Sequence, residues 1–166
     1  MCVLRASGYN FKVDSFMAKS HLKTGEVFHR GEPLFARNPN GRKNKLSGLT
    51  IYISDAEWSN LPAQVMDAVR FLKRNQKELL RLGQFPGVKK FCLDFPIDLR
   101  IGQKDTKSGQ MVAAQYDSFP AALVRFAGAV NLELEFSIYA NGPGKWWQRL
   151  RSPVGPFKKK KKLKAQ

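Results

Sequence analysis

Cysteine and histidine are scarce in this chain of 166 residues, with two of each. Cys2 and Cys92 can build no disulfide framework and form no CxxC metal knuckle. His21 and His29 stand apart on what read as different elements, so no clustered set of metal ligands is visible. No apolar run approaches the roughly 20 residues of a membrane span. The opening Met1-Cys2-Val3-Leu4-Arg5 lacks the charged start and apolar stretch of a signal peptide, so the expected compartment is the cytoplasm. There is no GxGxxG after a strand and no P-loop, and Gly25, Gly31, Gly41 and Gly48 read as turn residues. No bound cofactor or metal is therefore expected. Acids are also few. Asp+Glu number 13 against 29 Lys+Arg, for a net charge of +16.

What is present is enough apolar material for one core, 43% of residues. The positive charge is uneven. Residues 145–166 contain Lys145, Arg149, Arg151, Lys158, Lys159, Lys160, Lys161, Lys162 and Lys164 and no acid. That leaves 20 basic and 13 acidic residues, a net +7, on residues 1–144. Asn141-Gly142-Pro143-Gly144 reads as a linker, and five consecutive lysines repel one another and favour an extended chain. The expected organisation is a domain over 1–140 and a flexible basic tail over 141–166.

Periodicity outlines the domain. Phe91, Leu93, Phe95, Ile97, Leu99 and Ile101 alternate with polar residues and predict a strand with one buried and one wet face. Pro96 inside it implies an edge or a bulge. Leu132–Tyr139 and Leu49–Ile53 alternate in the same way, and Cys2–Ser7, Glu26–Arg30 and Met111–Tyr116 are shorter strand candidates. Ser54-Asp55-Ala56-Glu57 matches a capping box and predicts a short helical turn. Pro62 to Leu82 carries apolar residues at helical spacing, with Gly83 as its stop. A helix from Asp117 carries Leu123, Phe126, Ala127 and Val130, and Val13–Ser20 is a weaker one. The expected fold is α+β, a two-layer sandwich of about six mostly antiparallel strands with three helices on one face. Its first part follows a ferredoxin-like order.

Five segments carry a resemblance. They are MCVLRASG at 1–8, RGEP at 30–33, SGLTIYISDAEWSNLPAQVMDAVRFLK at 47–73, FPGVKKFCLDFPIDLRIG at 85–102 and FPAALVRFAGAVNLELEFSIY at 119–139. Together they resemble a family of small bacterial proteins catalogued as a domain of unknown function. The similarity covers about residues 1–140 and not the tail. Its motifs are structural, so it implies kinship and carries over no catalytic residue. Such families include immunity proteins of bacterial toxin systems, which suggests a protein partner by analogy.

The residues point more to binding than to catalysis. A Cys92–His29 nucleophile pair needs neighbouring strands that the spacing does not demand. Asp94 with Asp98, or Glu133 with Glu135, could be paired carboxylates, but a solvated strand face looks the same. Between Glu32 and Asp55 there is no acid, while Arg37, Arg42, Lys43 and Lys45 are present. The tail adds Trp146 and Trp147 beside its cations. Lysines neutralise phosphates without reading sequence, and tryptophans stack on unpaired bases or sit at a lipid headgroup boundary. The expected function is a non-enzymatic protein contacting RNA or another polyanion through the 37–45 loop and the tail. A membrane surface is a lesser candidate. The alternative is a protein-partner module using a wet, acidic sheet face of Asp94, Asp98, Glu133 and Glu135, or the region around an exposed Trp58. That face could dock a basic partner or the protein's own tail.

Overall fold

A computed structural model describes residues 1–105 and 108–139. Eight elements follow in chain order: β1 (Val3–Gly8), α1 (Val13–Met17), β2 (Glu26–Phe28), β3 (Ser47–Tyr52), α2 (Leu61–Gly83), β4 (Lys90–Asp98), α3 (Ala121–Ala129) and β5 (Glu133–Tyr139). The fold is α+β, with one mixed five-stranded sheet in the order β2-β3-β1-β4-β5. β1 runs antiparallel to β3 and β4, β2 antiparallel to β3, and β4 parallel to β5. The parallel pair requires a crossover, which α3 supplies.

The expected sixth strand, Met111–Tyr116, is not a strand. Met111 makes only an isolated bridge to Lys104. The capping box at Ser54 also opens no helix. Ser54 Oγ instead donates to Asp67 Oδ2 at 2.7 Å and accepts from the Ala56 N–H, so the motif closes a turn. The helix begins six residues later, where Asn60 Oδ1 accepts from the Ala63 N–H at 3.1 Å and Pro62 occupies the first turn. Gly83 is not a left-handed cap. It is the last helical residue, and a side chain there would meet the Phe91 ring at 3.0 Å.

One face of the sheet carries Leu4, Ala6, Leu49, Ile51, Phe91, Leu93, Phe95 and Ile97, all in the core. All three helices pack onto it, with Val13 and Phe16 from α1, Leu61, Val65, Ala68, Leu72, Leu79 and Leu82 from α2, and Leu123 and Ala127 from α3. The α2 stripe skips one position. Asn75 stands there with non-helical angles, and its side-chain amide donates to the Phe71 carbonyl at 2.9 Å. A side chain inserted into the helical ladder is a recognised cause of a kink. Gln64 is fully buried on α2, and its amide nitrogen donates to the carbonyls of Glu57 and Pro96 at 3.0 and 3.1 Å. Pro96 lies past the last β1–β4 pair, Val3 with Asp94, so its missing N–H costs no bond to β1.

The prediction of one wet face on β4 is overturned. Residues 91 to 97 of β4 are buried on both faces, including Cys92 and Asp94 at 0% exposure. Two donors satisfy the Asp94 carboxylate there. Arg5 Nη1 donates to Oδ2 at 2.8 Å and Ser137 Oγ to Oδ1 at 2.7 Å. Alternation marks which residues share a face; it does not report what neighbouring strands lay over that face.

Candidate functional site

Between β2 and β3 the chain makes a long excursion. Gly31 N–H donates to the Asn44 carbonyl at 2.9 Å, Asn44 N–H to Glu32 at 2.8 Å, and Leu34 N–H to Arg42 at 2.8 Å. A bridge joins Pro33 and Lys43, and the tip is closed by turns from Asn38 to Phe35 and from Gly41 to Asn38. Gly31 has φ +88°, a conformation that glycine adopts without strain. The result is a two-armed hairpin built from turn chemistry. Its cations Arg37, Arg42, Lys43 and Lys45 are all exposed, as are Leu34 and, at 68%, Phe35. Alongside lies a depression of about 700 Å³ lined by Phe28, Leu34, Arg42, Lys45 and Leu46 among others.

The base of this hairpin is held by contacts that sequence reasoning missed. His29 Nδ1 lies 3.0 Å from Glu32 Oε2, and its Nε2 lies 3.0 Å from Asp14 Oδ2 on α1. The hydrogen bond to Glu32, then that to Asp14, raises the His29 pKa above its ordinary value. Two carboxylates beside the basic arm are thus engaged by one imidazole. Arg30 places its guanidinium 3.8 Å from the centroid of the Tyr9 ring. The only sequence signal was the three-residue spacing of His29 and Glu32; nothing announced Asp14.

The expected acidic sheet face does not exist as a unit. Asp94 is buried and paired with Arg5. Glu135 is paired with Lys90 Nζ at 2.8 Å, which holds its carboxyl below the usual range. Glu133 is exposed. Asp98 lies at the far end of β4 and belongs to a different feature. Two exposed cations on that same face, Arg5 on β1 and Lys90 on β4, pair with Asp94 and Glu135 and neutralise what the carboxylates alone would have made acidic.

A Cys92–His29 pair does not form. β3 and β1 separate the strands that carry or adjoin them. Burial, reinforced by the neighbouring Glu135, pushes the Cys92 thiol up to about 12, the opposite of an activated nucleophile. Burial raises Cys2 to about 12 as well. Among the described residues no group of three His, Cys, Asp or Glu side chains could hold a metal ion.

A second concavity, not foreshadowed by any motif, is a cleft of about 800 Å³ at the C-terminal end of β4. Trp58, Leu61, Val65 and Ile97 supply its apolar wall. Arg100 Nη2 donates to Asp117 Oδ1 at 2.6 Å, and Gln115 bonds the Asp98 carbonyl, the Arg100 N–H and Asp117. Asp98 Oδ1 is buried without a hydrogen-bond partner. The expectation of an exposed Trp58 is corrected here. It is 8% exposed and stacks on Tyr139 with ring centroids 4.5 Å apart.

The structure therefore groups Arg37, Arg42, Lys43 and Lys45 on one hairpin. It separates Asp98 from Asp94, and it disperses the carboxylate set. The tail cations from Lys145 to Lys164, with Trp146 and Trp147, lie outside the described residues. Among the described residues no helix is long and apolar enough to cross a membrane. No protein-family model, curated protein or solved structure matches the chain.

Proposed function

We propose that this is a non-enzymatic protein that binds RNA or another polyanion through the hairpin between β2 and β3, assisted by its basic tail. One observation carries the reading. Arg37, Arg42, Lys43 and Lys45 are exposed on an arm with no acid from residue 33 to 54, and the two carboxylates near its base are occupied by His29. Cations that neutralise phosphates release the counterions condensed on the polyanion. Exposed Phe35 at the same arm offers a ring for stacking on an unpaired base. The order of β1 to β4, with β3 and β1 central, supports a ferredoxin-like reading of the first part. Free Cys2 and Cys92 suit a reducing cytoplasm.

The test is fluorescence anisotropy of labelled single-stranded RNA with the full chain over a salt series. The logarithm of affinity should fall linearly with the logarithm of salt, by about 0.7 for each phosphate contacted. Changing Arg37, Arg42, Lys43 and Lys45 together to Gln should shallow that slope. Salt-independent binding, or a slope untouched by the four changes, would sink the proposal for the hairpin. The alternative of a partner-binding acidic face loses its main support, because Asp94 and Glu135 already have cationic partners.

A further inference from the structure

We infer that the outer edge of β5 pairs with the β5 edge of a second copy, joining two sheets into one across a two-fold axis at Phe136. The two edges of this sheet are treated differently. β2 is three residues long, whereas β5 runs for seven and contains no Pro, Gly or Lys. Proteins ordinarily blunt a long edge with such residues or cover it. Among the described residues no strand pairs with the outside of β5, and Phe136 and Ile138 are 38% and 59% exposed there.

The backbone decides which groups face outward. The Leu99 N–H donates to the Tyr139 carbonyl at 2.8 Å, so Tyr139 turns its backbone groups toward β4. Alternation then turns those of Glu133, Glu135 and Ser137 inward as well, and leaves Leu134, Phe136 and Ile138 with N–H and C=O pointing away from the sheet. An antiparallel mate centred on Phe136 sets Phe136 opposite Phe136, and Leu134 opposite Ile138 on each side. Each of these is a pair that exchanges both of its bonds. All the outward groups of the strand are satisfied in that one register.

The side chains agree with the same register. Leu134, Phe136 and Ile138 lie on the helix-covered face, since their partners Leu93, Phe95 and Ile97 do. The apolar layer therefore continues across the axis. On the other face, Glu135 comes opposite Ser137 and Glu133 opposite Tyr139, so no two carboxylates face each other. Sliding by two residues in one direction sets Glu135 against Glu135, and in the other it moves the mate of Leu134 past the described end of the strand. A shift by one puts outward groups against inward ones. A two-fold axis perpendicular to the sheet keeps the helices of both copies on one side and extends the two-layer sandwich. Val124 on α3 is 51% exposed, and open space surrounds the position of a Cβ on Gly128, so α3 leaves room for its mate.

Sedimentation velocity on the full chain over a concentration series tests this. A species of twice the 18.8 kDa chain mass should form reversibly. Ile138→Pro removes a donor that points out of the sheet and leaves the ladder to β4 intact. Ile138→Lys keeps the backbone and adds a charge to the edge, at a site exposed enough to tolerate it. Each should raise the dimer dissociation constant by roughly tenfold or more, with an unchanged far-UV spectrum. Hydrogen exchange should find the amides of Leu134, Phe136 and Ile138 protected in the wild type and released in Ile138→Lys. A wild-type chain that stays monomeric with those amides unprotected, or a dimer indifferent to both changes, would overturn the inference.

Discussion

Asp94 sits on β4 between Val3 of β1 and Glu135 of β5. A carboxylate at 0% exposure survives because Arg5 and Ser137 both donate to it. Removing one donor leaves a buried charge short of a bond, which costs about 1–3 kcal/mol. We expect Arg5→Met to lower stability by about that amount in urea denaturation, and Ser137→Ala by about 1 kcal/mol. A neutral pair is a different case, because replacing both partners can be nearly free. His29 and Glu135 give the pH dependence of the surface pairs. The His29 pKa is raised above 6.5, so the bonds to Glu32 and Asp14 strengthen folding at low pH and lose that contribution as pH rises through the raised value. Glu135 has a lowered pKa, so its bond to Lys90 contributes above the ordinary carboxylate range and is lost as pH falls through the lowered value. An NMR titration should place His29 above its ordinary value, and Glu32→Gln should bring it down further than Asp14→Asn does. A His29 value unmoved by both changes would contradict the geometry.

At the scale of elements, the kink in α2 and the crossing of two glycines are the points most open to test. Asn75 breaks the helical ladder to bond Phe71, and Ala has the stronger helix propensity. Asn75→Ala should leave stability unchanged or raise it by roughly 0.5 kcal/mol, read from the thermal midpoint. Gly8 ends β1 where any Cβ would collide with the Gly87 carbonyl, and Gly87 itself has φ +91° with Asn10 backbone against it. Backbone cannot move aside as a side-chain tip can, so Gly8→Ala should cost about 3 kcal/mol or more. Equilibrium denaturation would settle it. These elements were legible to different degrees. β1, β3, β4, β5 and α2 were readable because their apolar period is long enough to stand out from noise. Met111–Tyr116, a shorter candidate, shows no clean alternation, and no neighbouring strand takes it. The hairpin cations could be read from the missing acids. The cleft could not, because Trp58, Asp98 and Asp117 converge only through the sheet and the crossover. The cover over Asp94 was equally invisible, since Arg5 lies 89 residues away in sequence.

At the scale of the whole molecule, the basic hairpin and the bare strand edge lie, among the described residues, at opposite ends of the sheet. The basic hairpin extends from β2 and β3, and β5 closes the other side. A dimer through β5 would hold two hairpins apart on one long platform and give bivalent attachment to a single polyanion. Avidity should then disappear in Ile138→Lys while each arm keeps its own salt slope. The placement of β1 has another consequence, for the making of the protein. It is synthesised before either strand it lies between, yet its hydrogen bonds go to residues 47–52 and 90–94. Until β3 has emerged both edges of this central strand are open, and until β4 has emerged one still is, beside an incomplete core, a state in which chains misassociate readily. Long-range closure of this kind folds slowly. Time spent in that half-built state, more than the strength of any finished contact, would set how much of the newly made chain reaches its native form.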